Sequence, residues 1–189
     1  LHTTNDDKPF IKPFWAGALS YDLLQMTQPI RLQHPPEEDE LLCILWEIQN
    51  CVVHNKTSDK LTVLSSDTSW WEAVEQCLEG ISFDFERTLL KISEEPKTNC
   101  SDLEHEEIVK AVQSSIVDGQ LYQLNYGRTW EGEVASEPWD LFCHSIASNP
   151  APYSGFLHMK DESFALISAS PESLLSTENG IITTAPIKG

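Results

Sequence analysis

Basic residues are scarce in this chain. Its 189 residues hold 12 lysines and arginines against 30 aspartates and glutamates, a formal net charge of -18. A surface that acidic excludes a nucleic-acid partner, because phosphate recognition needs concentrated positive charge. It excludes an anionic membrane surface for the same reason. Cysteine is present but unpaired in pattern: Cys43, Cys51, Cys77, Cys100 and Cys143 form no C-x-x-C motif, and their number is odd. Free thiols in a reducing compartment are the expectation, which points to the cytoplasm. The six histidines are scattered, without the ligand spacing of a zinc site. No apolar run approaches the roughly 18 residues of a membrane span, and LHTTNDDKPF lacks the character of a signal peptide. Leu1 is not an initiator methionine, so the N-terminus is expected to be incomplete.

What is present suffices for a core: 40% of residues are hydrophobic and 22% charged. FWAGALSYDLL (14–24) reads as a strand with a close backbone approach at Gly17. Residues 27–40 read as a loop, stopped by Pro35, Pro36 and an acidic run. LLCILWEIQNCVVH and LTVLSS, joined by NKTSDK, predict an antiparallel hairpin. A short helix is expected over 69–79 with Ser69 as its cap. The polar stretch 91–101 is the expected boundary between an N-terminal region (1–95) and a second region (100–189). Ser101 and Glu104 form an S-x-x-E capping box ahead of Ile108, Val112 and Ile116, so a helix should run to Asp118-Gly119. LYQLNYGRTWEGEV reads as a strand, and Pro138 opens a helix over 138–147. From Ser154 onward, short apolar runs between turn residues predict a meandering antiparallel sheet. The fold class is therefore α+β, with large antiparallel sheets flanked by helices.

Four segments could carry chemistry: GQLYQLNYGR (119–128), NPAPYSGF (149–156), SASPES (168–173) and TAPIKG (184–189). Glu172 and Lys188 stand sixteen residues apart, and a hairpin between them would bring a carboxylate and an amine together. A lysine can act as a nucleophile and a carboxylate can move protons. On spacing alone an exposed ion pair, worth about 0–1 kcal/mol, is the plainer reading. The proline loop by itself is a hairpin connection, and Gln123 by itself is a polar residue in a sheet.

The order of all four segments is more specific. It resembles the chorismate-binding enzymes, whose members carry a G-D-x-x-Q strand, an N-P-x-P-Y loop, an S-P-E turn and a P-I-x-G-T turn in that order. The matches are GQLYQ, NPAPY, SPE and PIKG. Gln120 departs from the aspartate of the pattern. PFWAGALSYDL also resembles the family's N-terminal glycine-rich segment, with Ala16 and Ala18 where glycines stand.

The resemblance implies a chorismate-using enzyme with a large antiparallel α+β fold. It implies Lys188 and Glu172 as catalytic residues and Gln123 and Gly189 as substrate-binding ones. Members that form anthranilate, isochorismate or salicylate have alanine where this chain has Lys188; aminodeoxychorismate synthases have lysine. Amination of chorismate at C4, on the route to p-aminobenzoate and folate, is therefore expected, with anthranilate synthesis as the alternative. The resemblance further implies Mg²⁺, held by carboxylates beyond the PIKG turn and by none in this chain. It implies a glutamine amidotransferase subunit as the source of ammonia. Some members hold tryptophan in a pocket whose matching positions are Ser20, Tyr21, Pro152 and Tyr153; whether tryptophan is a structural ligand, an inhibitor or absent stays open. Ending inside a site motif, the chain is expected to be inactive by itself.

Overall fold

A computed structural model of the chain describes residues 14–80 and 94–187. It divides into two compact units, Leu1–Phe85 and Glu86–Gly189. The expected linker at 91–101 begins among residues outside the described set.

In the first unit, β1 (Phe14–Leu19) pairs antiparallel with β2 (Cys43–Ile48). The register sets Ala16 opposite Trp46 and Ala18 opposite Ile44, so small side chains face large ones on the half-buried side. The expected close approach at Gly17 is real: a Cβ there would lie 1.9 Å from the Ile44 carbonyl oxygen. After β1 the chain makes a single 3₁₀ turn, Tyr21–Leu23, and a short helix α1 (Leu24–Thr27) instead of continuing as strand. Ser20 causes the break, because its hydroxyl accepts from the Asp22 amide at 3.2 Å.

The run 41–54 is not one strand. Gln49 divides it into β2 and β3 (Asn50–Asn55), because the two halves have different partners. β3 pairs with β4 (Lys60–Ser65), forming the expected hairpin. At its turn the Asn55 side-chain oxygen accepts from the Thr57 and Ser58 amides. Val63 and Ser65 of β4 are buried. The Ser65 hydroxyl donates to Asn50 and accepts from the Asp67 amide, so its burial leaves it satisfied. Helix α2 (Thr68–Gly80) comes next and packs on β4. Its cap is Asp67 and not Ser69: the Asp67 carboxylate accepts from the Ser69 and Trp70 amides and from the Ser69 hydroxyl. These bonds, the Ser69 hydroxyl's foremost, hold the Asp67 carboxyl below its ordinary 3.8.

In the second unit, β5 (Lys97–Thr98) leads into α3 (Asp102–Val117). The capping box is complete, with the Ser101 hydroxyl accepting from the Glu104 amide and the Glu104 carboxylate accepting from Ser101. α3 ends where expected, at Asp118, and the next residue, Gly119, has φ +73°. β6 (Trp130–Glu131) pairs with β5. Pro138 opens α4 (Pro138–Ser148). Its Trp139 and Phe142 close on Phe156 of β7 (Tyr153–Met159), with ring centroids 5.4–5.5 Å apart. Burial, then the charge of Asp140, pushes the neighbouring Cys143 thiol above its ordinary value. All five cysteines are free.

β7 pairs antiparallel with β8 (Phe164–Ser170), and β9 (Ser176–Glu178) with β10 (Ile181–Thr183). Asn179 and Gly180 link the latter pair with φ of 50° and 78°. Positive φ at both turn residues is the type I′ pattern, which suits an Asn-Gly pair. The fold is thus α+β with antiparallel pairing throughout; among the described residues the strands join two by two. No described helix is long and apolar enough to cross a membrane.

Candidate active site

Two segments of the second unit contain the residues expected to carry chemistry. The first, 119–131, leaves the end of α3 and returns toward its start. Gln120 and Leu121 donate their amides to the Ser115 carbonyl, at 2.9 and 3.2 Å. Thr129, at the far end, exchanges bonds with Asn99: its amide reaches the Asn99 side chain at 3.0 Å, and its carbonyl accepts from the Asn99 amide at 3.2 Å. Between these ties the backbone is irregular. The expected strand is therefore confined to Trp130–Glu131, because only there does a described strand, β5, supply a ladder. Gln123 sits in the irregular stretch with its side chain exposed.

The second segment runs from the SPE turn through the last hairpin. Glu172 stands in the bend after β8, exposed, and its carbonyl accepts from the Ser170 hydroxyl at 3.0 Å. β9 and β10 then form the hairpin. At its base the Thr184 hydroxyl donates to the Leu174 carbonyl at 2.8 Å, ten residues back in sequence. Glu172 thus lies two residues before one side of this tie, and the PIKG turn opens two residues after the other. Lys188 and Gly189 themselves lie outside the described residues.

The four expected tryptophan-pocket positions fall in different units. Ser20 caps the 3₁₀ turn and Tyr21 begins it, 80% exposed. Pro152 and Tyr153 form the end of the proline loop, where Ser154 bonds back to the Ala151 carbonyl through both amide and hydroxyl. Each pair is locally ordered within its own unit. As for a metal, no group of three or more His, Cys, Asp or Glu side chains among the described residues is placed to hold one.

Residues 1–189 match the family model of the chorismate binding enzymes. The chain belongs to that family. Aminodeoxychorismate synthase component 1 of Salmonella typhimurium is 33% identical over 103 residues, covering 54% of this chain and 22% of its own length. The chloroplastic aminodeoxychorismate synthase of Arabidopsis thaliana is 28% identical, covering 97% of this chain and 22% of its own length. The anthranilate synthase of Azospirillum brasilense is 25% identical over 92% of this chain and 23% of its own length. The chain thus spans about a fifth of the relatives it matches. The crystal structure of anthranilate synthase component I from Streptococcus pneumoniae TIGR4 superposes with a TM-score of 0.67 at 23% identity, over 97% of this chain and 44% of that one. The fold is shared.

In this member of the chorismate binding enzymes, Arg128 is a residue that the sequence motifs do not single out. Its guanidinium donates to the Asp102 carboxylate and to the Cys100 carbonyl, both at 2.8 Å, and stacks over Trp130 at 4.8 Å. Nearby, the Tyr126 hydroxyl donates to the Cys100 sulfur at 3.5 Å, which with burial pushes the phenol above its ordinary value. Together with α3, Cys100 and Tyr126 border a concavity of about 450 Å³. The only signal in the sequence is the arginine closing GQLYQLNYGR. Its partners lie 26 and 28 residues away, beyond the reach of local pattern.

Proposed function

We propose that the whole protein aminates chorismate at C4, giving 4-amino-4-deoxychorismate, as an aminodeoxychorismate synthase component I. The Lys188 amine attacks ring carbon C2 as the C4 hydroxyl departs, taking a proton from Glu172 and leaving as water. Ammonia then bonds to C4, the C2–N bond breaks, and Glu172 accepts the proton released by the incoming nitrogen. The lysine returns unchanged, so the sum is chorismate plus ammonia to product plus water. The amine must be uncharged to attack, which requires a site that lowers its pKa. Gly189 is assigned to substrate binding, where the lack of a side chain would leave room for the ring. Gln123, which cannot serve as a base toward water, is assigned to substrate binding. The relatives named component 1 point to a partner subunit, a glutamine amidotransferase that supplies the ammonia. A Mg²⁺ ion would offset the two carboxylates of the substrate. The described residues gather no donor set for it.

The observation that supports this reading is the hairpin base. Thr184 tied to Leu174 makes the bend of Glu172 and the opening of the PIKG turn leave from the same end of one hairpin. The lysine itself favours amination at C4 over anthranilate synthesis. The whole protein, given chorismate, ammonia and Mg²⁺, should yield a product with the mass of 4-amino-4-deoxychorismate. Lys188→Ala should lower that rate by about 10³-fold or more, as removal of a nucleophile does. Glu172→Gln should lower it by roughly 10²–10⁴-fold. Anthranilate as the product, with Lys188→Ala fully active, would establish the anthranilate synthase alternative.

A further inference from the structure

We propose that Arg128 is a positioning residue for Gln123, holding the irregular 121–129 segment in register with the substrate. This rests on the reading of Gln123 as a substrate-binding residue.

From Leu121 to Thr129 no ladder fixes the backbone, yet Gln123 stands in this stretch. A polar group that must meet a substrate at hydrogen-bonding distance needs a fixed backbone behind it. The Gln120 and Leu121 amides tie the near end to the Ser115 carbonyl. The far end is tied by the Asn99–Thr129 bonds and, through a side chain, by Arg128. Its side chain is only 16% exposed, and one guanidinium nitrogen reaches Asp102 at the head of α3. The other reaches the Cys100 carbonyl just before the helix. Trp130 lies under the plane at 4.8 Å. The segment is thereby stretched along α3 between its two ends.

The residue type fits the task. A planar guanidinium offers two donors in a fixed fork and a flat face to a ring at once, a geometry that a lysine ammonium does not fix. Stability alone does not explain the choice, because the buried Nε finds no partner among the described residues. A clamp that keeps an unsatisfied donor is better understood by what it holds in place.

The test is a double-mutant cycle in the whole protein, read as chorismate consumption. Gln123→Ala should raise KM for chorismate with little change in kcat. Arg128→Lys should raise KM about tenfold, below the roughly 10²-fold that a misplacement of one ångström costs. In the Gln123→Ala background, Arg128→Lys should then add almost nothing. Asp102→Asn, which keeps an acceptor for Arg128 but removes its charge, should shift KM in the same direction by about two- to threefold and provides a milder variant that folds. Additive effects of Arg128→Lys and Gln123→Ala would overturn the proposal. So would a fall in the urea midpoint with KM unmoved, or an unchanged KM in Gln123→Ala. A wild-type protein that consumes no chorismate would instead refute the functional reading on which it rests.

Discussion

Substituting Gly17 by alanine tests the close approach of β1 to β2. The new Cβ would start 1.9 Å from the Ile44 carbonyl oxygen and 2.9 Å from its carbon, and real Cβ atoms essentially never come within 3.0 Å. Both atoms are backbone, so no side-chain rotation relieves the clash. β2 must retreat from β1 by at least the difference between 1.9 and 3.0 Å, in the middle of a six-residue register. A retreat of that size stretches the adjacent ladder bonds beyond useful length. Two such bonds are worth about 1 kcal/mol each, and overpacking adds about 1 kcal/mol or more. Gly17→Ala should therefore cost about 2–3 kcal/mol. For a chain of this size that corresponds to a fall in Tm of roughly 4–12 °C. Gly155 in β7 is the control: an added Cβ meets nothing within 4 Å, so Gly155→Ala should be neutral or stabilising by up to about 1 kcal/mol. Thermal unfolding of the two variants side by side is the assay. Equal shifts would refute the reasoning, since the two changes differ only in what surrounds the new methyl group.

Ser101→Ala removes the hydroxyl half of the α3 capping box and should cost about 0.5–2 kcal/mol, seen as faster hydrogen exchange of the first α3 amides. Acid should weaken the same helix start. The hydrogen bond from the Ser101 hydroxyl holds the Glu104 carboxyl below its ordinary 4.5, so its contribution is complete above that pH and is lost as pH falls toward the folded value. Asp67 acts alike at α2, below its ordinary 3.8, and acid titration monitored by helical circular dichroism should show both losses. In Ser101→Ala the pH dependence at α3 should flatten. Gly180→Ala places a side chain at φ 78° and should weaken the β9–β10 hairpin by about 1–2 kcal/mol, measurable by exchange of the strand amides.

Elements built from neighbouring residues were legible in the sequence. Ser101 with Glu104, Pro138 at a helix start and Asn179-Gly180 at a turn each contain the chemistry that forms them. The hairpin between the SPE and PIKG turns was legible for the same reason. Elements that depend on distant partners were not. Gln49 looks like the middle of one apolar run, and only the separate pairings of β2 with β1 and β3 with β4 divide it. LYQLNYGRTW has strand composition, but composition does not supply a neighbouring strand. Asp67 outcompetes Ser69 as a cap because its carboxylate sits where both amides and the hydroxyl converge. Of the candidate site residues, Glu172 and Gln123 are proposed from their motifs alone. The Arg128 clamp could not be, since its partners are helix-start groups more than two dozen residues upstream.

The tie from Thr184 to Leu174 divides the last hairpin into two regions with opposite tolerance for change. Lengthening the tip at Asn179-Gly180 leaves everything below the crossing bond where it was, so extra residues there should be borne without penalty to chemistry. A single residue inserted between Leu174 and Ser176 would turn each later side chain of β9 to the other face. It would also misalign the two arms that depart from the base. Sequence drift in this part of the chain should accordingly accumulate at the apex and stall at the root.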